Sequence, residues 1–405
     1  MKKFLQRLSG KQLILLCTGI LSCIVGLLIN GVGGYMTGKL DTQNMAERWS
    51  EDGDVSQISC FFSREAEMTE NNLINFEHAL DAALEEASIV NDSENAGARL
   101  WADAYSASGR ITLTSQRASV EVNAVGVGGD FFLFHPLKLL AGAYFSGSDL
   151  MQDHIVIDED AAWQLFGSND VDGQMITIGG VPHMIAGVIR REDGRMANAA
   201  GLSSSVVYVS YSTLEKYGTN YGLNTYELVM PNPVTGYAKN YVMENIGVTE
   251  NEVEIVENTT RYGLLARLKL LAQFPTRSMS SKAIIYPYWE NIARGYEDIL
   301  TLLLVLTLLF ILYPAILLII LIVRAWKHKT WTVAGVWHKV KDKIERLREK
   351  LWAVQAKNKE RKAAGLSPKA KKPKREKKVK EKKVKGKKLQ KEVQMNEEEN
   401  YEKDE

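Results

Sequence analysis

Residues Gly126–Ile189 read GVGGDFFLFHPLKLLAGAYFSGSDLMQDHIVIDEDAAWQLFGSNDVDGQMITIGGVPHMIAGVI, and the fold turns on this stretch. HIVIDED, at 154–160, begins as a short β-branched strand and runs into a helix over Asp160–Phe166. MITIGG and HMIAGVI read as strands on either side of a Gly179-Gly180 turn. Gly126, Gly128 and Gly129 only superficially resemble a phosphate loop. Their spacing is not GxGxxG and no nucleotide-binding βαβ unit surrounds them, so a tight turn needing positive φ is expected instead. Upstream come the strands Val55–Phe62, Leu100–Tyr105, Ile111–Thr114 and Val120–Val127, with Ser108-Gly109 read as a turn. Between the first two, apolar residues at three- and four-residue steps predict a helix over Thr69–Ala87, with Thr69 as its N-cap. Downstream lie a polar loop (Arg190–Ser204), the strand VVYVS, a short helix Tyr211–Tyr217 and the strand TYELVM. A helix at Val234–Ile246, a strand Val253–Val256 and an apolar-rich helix near Arg261–Phe274 follow. The pattern predicts one α+β unit, about 50–150 plus 222–275, interrupted by a mostly β unit at about 151–221. Phe131, Phe132, Leu165, Phe166 and Val188 are expected in its core.

Two uncharged runs bracket this region. Leu13–Ile29, extending to Val32, is long enough to approach the ~30 Å hydrocarbon thickness, and Ile299–Val323 exceeds it. The first run is longer than the apolar core of a cleaved signal peptide and no small-x-small site follows Gly34, so an uncleaved anchor is expected. Lys2, Lys3, Arg7 and Lys11 precede the first run; Arg324, Lys327 and Lys329 follow the second. The positive-inside rule then puts both ends in the cytoplasm and residues 33–297 outside. Tyr286, Tyr288 and Trp289 before the second run, and Trp326 and Trp331 after it, suit interfacial aromatic belts. Pro314 sits mid-span, where a neighbouring helix must compensate for the lost backbone bond.

The formal net charge of the 405 residues is +1, which conceals a strong asymmetry. Residues 33–297 carry 18 basic and 35 acidic side chains, net −17, whereas 324–405 carry 28 and 13, net +15. Three cysteines exclude a disulfide scaffold. Cys17 and Cys23 lie in the first apolar run, and Cys60 is left with no partner outside.

Within Gly126–Ile189, a "dFF…f…l…G.yF…D" segment, a "viDe..A..LFG" segment and a "G..i.i.g....V.GV" segment occur in order and at close spacing. They resemble the periplasmic core domain of MacB/FtsX-type ABC transporter permeases, the likeness covering roughly residues 12–325 with an anchoring helix on each side. The resemblance implies a porter-like α+β unit carrying an inserted, β-rich, sabre-like unit. It also implies an outside domain that moves in concert with cytoplasmic ATP hydrolysis. The chain departs from the family in three ways. It has two apolar runs where such permeases have four, no GxxxxGK[ST] P-loop, and RAWKHKTWTVAGVWHKVKDK where an EIG..RA.G coupling segment is usual. The resulting organisation is a cytoplasmic N-terminus (1–12), helix 13–32, a MacB-like outside domain (33–297), helix 298–323, a basic helix (324–364) and a tail (365–405).

Within the basic segment, Trp331, Val333, Val336, Trp337, Val340, Ile344, Leu347, Leu351 and Val354 form an apolar stripe among Lys and Arg. Such a helix suits either an anionic inner leaflet or a protein partner. Lys369–Lys391 is low-complexity and Asn396–Glu405 acidic, so disorder is expected beyond Gly365. With neither interleaved aromatics nor a recognition fold, the lysines point to lipid and not to nucleic acid.

Catalytic, cofactor-binding and metal-ligating residues are all expected to be absent. His78, His135, His154, His183, His328 and His338 include neither HExxH nor an i, i+4 pair. Asp158, Glu159 and Asp160 stand at a strand-to-helix junction, where N-capping and dipole compensation account for them. Ser146, Ser148 and Ser203–Ser205 lack a GxSxG context, and Asn91 and Asn258 head glycosylation-like triplets. The expected function is therefore a non-catalytic, membrane-anchored subunit or accessory of a MacB-type complex, served by a separate ATPase and further permease chains. A stand-alone extracytoplasmic binding or sensor protein is the alternative; an outside-facing hydrolase would need catalytic residues the chain lacks.

Overall fold

The computed structural model describes residues 10–50, 53–89, 99–147, 149–277, 282–327 and 333–363. Helix α1 (Gly10–Thr37) leads through a 3-10 turn to α2 (Met45–Trp49) and strand β1 (Val55–Phe62). Thr69 caps α3 (Glu70–Glu86) reciprocally: its Oγ1 accepts from Asn72 N at 3.4 Å, and its own N–H donates to Asn72 Oδ1 at 3.2 Å. Strand β2 (Ala102–Thr114) then runs without interruption through Ser108 and Gly109. The sequence places a turn there, but a Cβ at Gly109 would sit 2.3 Å from Thr219 O, so glycine here lets a neighbouring strand approach.

Next come β3 (Ser119–Gly129), α4 (Phe131–Phe134), β4 (Leu139–Gly142), β5 (His154–Asp158), α5 (Glu159–Phe166), β6 (Met175–Ile178) and β7 (Val181–Ile189). The segment read as an irregular polar loop contains a short helix, α6 (Arg195–Ala199). The domain continues through β8 (Val206–Ser210), α7 (Tyr211–Tyr217), β9 (Thr219–Asn220), β10 (Thr225–Pro231), α8 (Tyr237–Asn245), β11 (Val253–Glu257) and α9 (Leu264–Gln273). Helix α10 (Tyr288–Lys327) and helix α11 (Val333–Ala363) follow.

The strands form one sheet in the order β11-β1-β10-β2-β3-β8-β5-β7-β4, with β6 bridging β2 and β7 and β9 lying on β2. β8 pairs with β3 in parallel, so the strands of 151–221 extend the sheet begun by β1, β2, β3 and β10. Of the three glycines weighed as a loop, only Gly129 has positive φ, at 62°. Gly126 and Gly128 are strand residues whose missing side chains admit Leu214 and the ring of Tyr105.

The sheet buries both faces. On one, Phe62, Leu73, Phe76, Leu80, Leu165 and Leu214 pack among residues of α3, α5 and α7. On the other, Met45, Phe131, Phe134, Tyr208 and Trp289 pack together. β1 serves both through its period of two: Ile58, Cys60 and Phe62 point into the first core, Gln57 and Ser59 to the opposite face. Burial pushes the Cys60 thiol pKa far up, so it is an inert core residue. Phe131, Leu165 and Val188 are buried as expected, whereas Phe132 and Phe166 are only half-buried; Phe134 takes the fully buried place.

Two helices are long and apolar enough to cross a membrane. They run antiparallel. Gly19, Gly26 and Gly33, seven residues apart, face the second helix: an added Cβ would lie 3.3 Å from Leu317, 3.1 Å from Ile311 and 3.4 Å from Leu300. The second helix starts eleven residues before its uncharged run, so a ~16 Å head stands beyond the apolar part. Trp289 and Ala293 of that head are buried at 3% and 1%. Tyr288 and Trp289 are thus part of the domain core and not an interfacial belt. Hydropathy cannot make that distinction, because an aromatic cluster before an apolar run looks the same in either setting.

The segment 333–363 is a helix by itself, with Trp337, Ile344, Leu347 and Leu351 exposed along it. His328, Trp331, Ser148, Asn91, Lys369–Lys391 and the acidic end lie outside the described residues.

Candidate functional site

The head of α10 is fastened to the sheet domain by a buried polar assembly centred on Arg261, which follows β11. Its guanidinium donates as a fork to Glu290, Nη1 to Oε2 and Nη2 to Oε1, both at 2.7 Å. Nε reaches Glu297 Oε1 at 2.5 Å, and Nη1 also donates to Gln43 Oε1 at 2.9 Å. Arg294 Nε bonds Glu290 Oε1 at 2.9 Å. Arg277 lies 2.5 Å from Glu297 and 2.6 Å from Asp298. Three arginines and three carboxylates balance in formal charge. The side chains of Arg261 and Glu290 are 3% and 1% exposed. Burial works against the Arg261 charge, but Glu290 and then Glu297 outweigh it and hold the guanidinium protonated.

The polar path continues across the sheet. Arg261 Nη1 approaches Asn258 Oδ1 at 3.4 Å, and Asn258 Nδ2 donates to Ser59 Oγ at 2.7 Å. Ser59 Oγ donates to Glu227 Oε1 at 3.0 Å, and the other oxygen of Glu227 pairs with His135 Nε2. The His135 ring lies 4.5 Å from that of Trp289, so the path returns to the first turn of α10, beside Glu290. Tyr208 and Tyr288 share a hydroxyl contact of 2.7 Å beside it. The charged donors and acceptors of this assembly are engaged with one another, whereas His135 Nδ1 and Trp289 Nε1 are buried without a hydrogen-bond partner. It is suited to hold α1's connection, the sheet and α10 in fixed relation, and replacing one buried partner leaves a charge uncompensated.

The acidic triplet resolves into separate parts. Asp158 caps α5, accepting from Ala161 N at 2.8 Å and Val206 N at 3.0 Å; burial raises its pKa and these bonds oppose the rise. Asp160 instead pairs with Arg191. The histidines are scattered. His183 is buried with Nδ1 3.0 Å from Val181 O, His78 is exposed on α3, and His338 is exposed on α11. His154 Nδ1 lies 2.5 Å from Asp149 and 3.3 Å from Asp153, so these three offer ligand atoms within 4.8 Å of one another. All three are partly solvated and their bonds to one another account for the grouping. Asn258, which heads a glycosylation-like triplet, is 3% exposed and engaged with Ser59.

Ser203–Ser205 line a polar cleft of about 420 Å³, where Arg191, Arg110 and Asn123 also lie. Arg110 and Asn123 are shared with an adjoining cleft of about 590 Å³, where the Arg64 guanidinium stacks 3.4 Å from the Tyr221 ring.

Sequence reasoning missed the Arg261 assembly. Its visible trace was Glu290, Arg294 and Glu297 at steps of four and three on a helix head, one turn before an uncharged run. Arg261, opening the segment read as an apolar-rich helix, carried no local sign of its partners.

The family of MacB-like periplasmic core domains matches residues 16–239. Among curated relatives, the macrolide export ATP-binding/permease protein MacB of Agrobacterium fabrum is 34% identical over 120 residues, covering 28% of this chain and 18% of the relative. The protein of the same name from Chromobacterium violaceum is 34% identical over 99 residues, covering 24% and 15%. The chain therefore matches less than a fifth of the length of either relative. The crystal structure of the periplasmic region of MacB from Actinobacillus actinomycetemcomitans aligns over 55% of this chain and 94% of its own, at 16% identity and TM-score 0.35. The extracellular domain of the noncanonic ABC-type transporter YknZ from Gram-positive bacteria aligns over 49% and 99%, at 17% identity and TM-score 0.32.

Proposed function

We propose, since the chain belongs to the family of MacB-like periplasmic core domains, that it works as a non-catalytic, permease-like subunit of an ABC transporter or mechanotransmission complex. In this reading residues 33–297 lie outside and both termini inside, an orientation supported by the basic flanks of the two apolar runs. A separate chain supplies ATP hydrolysis and further chains supply the remaining membrane helices. The outer domain contacts substrate or a partner protein, and the clefts beside Arg110 and Asn123 offer it polar surface for that contact.

One observation supports this reading above others. Helix α10 is continuous from the core of the outer domain, where Trp289 is buried and Glu290 is forked by Arg261, to the end of a 25-residue uncharged run. A helix built in this way carries a displacement from one side of a membrane to the other as a rigid rod, because its head cannot slip against the domain without exposing paired charges. The basic helix beyond the run, with its apolar stripe, is the docking element for the ATPase side or for anionic lipid.

The test is purification of the full chain in mild detergent at native expression. An ATPase and a permease chain should co-purify, and the isolated chain should hydrolyse no ATP. Recovery of neither partner would leave the stand-alone binding or sensor reading in its place.

A further inference from the structure

We infer that α9 is a membrane-surface helix, seated in the headgroup region of an anionic leaflet beside the head of α10. Helix α9 contributes no buried residue to the domain. Its outward side is apolar: Leu264, Leu265, Leu268 and Leu271 are 55%, 75%, 39% and 37% exposed, and Phe274 just beyond it is 53% exposed. Leu264, Leu268, Leu271 and Phe274 follow the four- and three-residue steps of one helix face. For ten residues of a water-soluble surface this is an unusual concentration of leucine.

Both ends of the segment are tied to α10 at one height. Before α9, Arg261 bonds Glu297 at 2.5 Å and Tyr262 OH donates to Ala293 O at 3.5 Å. After it, Arg277 donates to Arg294 O at 3.2 Å and pairs with Glu297 and Asp298. The uncharged run of α10 opens at Ile299, so these anchors, from Ala293 to Asp298, sit within about two helical turns (~9 Å) of the hydrocarbon boundary. The leucines therefore hang at the depth where acyl chains begin.

Charge selects the surface. Residues 261–277 carry no acidic residue; Arg261 and Arg277 are engaged by Glu290, Glu297 and Asp298, which leaves Arg267 and the exposed Lys269 as the basic residues of α9 itself, inside a domain region whose net charge is −17. An apolar face flanked by basic residues is the composition of a helix lying in an anionic interface. The inference needs α10 to span a bilayer but is independent of which side the domain faces and of any ATPase.

The experiment places a nitroxide label at Leu268→Cys, Leu271→Cys or Lys269→Cys in the full chain. Cys17 and Cys23 are changed to alanine, and the buried Cys60 is left native. The protein is reconstituted into phosphatidylcholine vesicles containing phosphatidylglycerol, and collisions with oxygen and with a water-soluble nickel chelate are compared. Labels at 268 and 271 should favour oxygen, and the label at 269 should favour the chelate. Chelate preference at all three positions would show a helix in water and overturn the inference. Protection of 268 and 271 from both reagents would show a protein surface there instead, and oxygen preference at 269 as well would contradict the amphipathic seating.

Discussion

Ser22 Oγ donates to the carbonyl oxygen of Phe310 at 2.7 Å, and Phe310 is the residue whose carbonyl loses its helical partner to Pro314. Proline four residues on has no N–H to give, and no water in a bilayer replaces it. Beside this contact, Thr18 Oγ1 and Tyr313 OH share a hydrogen bond of 2.9 Å. Close approach is possible because Gly19 and Gly26 carry no side chains on the facing surface. The proline is thus tolerated through a specific neighbour and not through helix flexibility.

Ser22→Ala should therefore weaken the pairing of the two helices by about 0.5–1.5 kcal/mol. In a Pro314→Ala background, where residue 314 regains an N–H for Phe310, the same change should cost clearly less. A double-mutant cycle on thermal unfolding in detergent measures the coupling. Equal costs in both backgrounds would show that the serine does nothing for the proline.

Core assignments give a second expectation. Phe134 is fully buried at 0% and Phe131 lies beside it at 2%, whereas Phe166 keeps part of its ring in solvent. Phe134→Ala should cost about 3–5 kcal/mol, and Phe166→Ala about 1–2 kcal/mol. Melting temperatures of the two variants should separate in that order.

Features with a local cause were legible in the sequence. β1 was readable end to end as Val55–Phe62, α3 from Thr69 onward, and Asp158 as a cap, because each depends on residues within a few positions. Gly109 and Gly126 misled, because glycine marks a turn locally but here answers Thr219 and Leu214, which only the fold brings close. Arg261 and Glu290 are 29 positions apart, and no periodicity connects them. Phe166 ends a readable helix whose apolar side is known only to within one residue, enough to exchange a buried ring for a half-buried one.

A third expectation concerns acidity. Asp103 on β2 and Glu77 on α3 face each other through a side-chain hydrogen bond. Burial, reinforced by Glu77 and Asp130 and only partly opposed by Arg99, raises the Asp103 pKa to about 8, and Glu77 is raised as well. The folded chain then keeps a proton that the unfolded chain releases near its ordinary pKa of about 4. Stability contributed by the protonated pair is complete below about pH 4 and is lost as pH rises toward about 8. Asp103→Asn removes that loss. Its melting temperature should rise relative to the parent between about pH 5 and about pH 8, by the equivalent of about 1–2 kcal/mol. A constant difference across that range would show that the pair does not share a proton.

The Arg261 assembly yields the last expectation. Arg261→Met removes the cation shared by Glu290 and Glu297 and leaves two arginines against three carboxylates, Glu290 itself being almost fully buried, so the loss should reach about 3–5 kcal/mol. Arg261→Lys restores the charge but not the fork to both oxygens of Glu290, nor the simultaneous reach to Gln43 and Glu297, and should recover less than half of that loss. Glu290→Gln keeps the shape and removes one charge, leaving Arg294 and Arg261 partly unbalanced, and should fall between the two. The measurement that separates a structural clamp from a generally fragile core is protease sensitivity in the full chain. Loosening the joint should expose the 282–290 approach to α10 while β2 and β3 stay protected, since their own pairing does not pass through Arg261. Simultaneous loss of protection throughout the sheet would mean that Arg261 supports the whole fold and not the connection between the domain and its membrane helix.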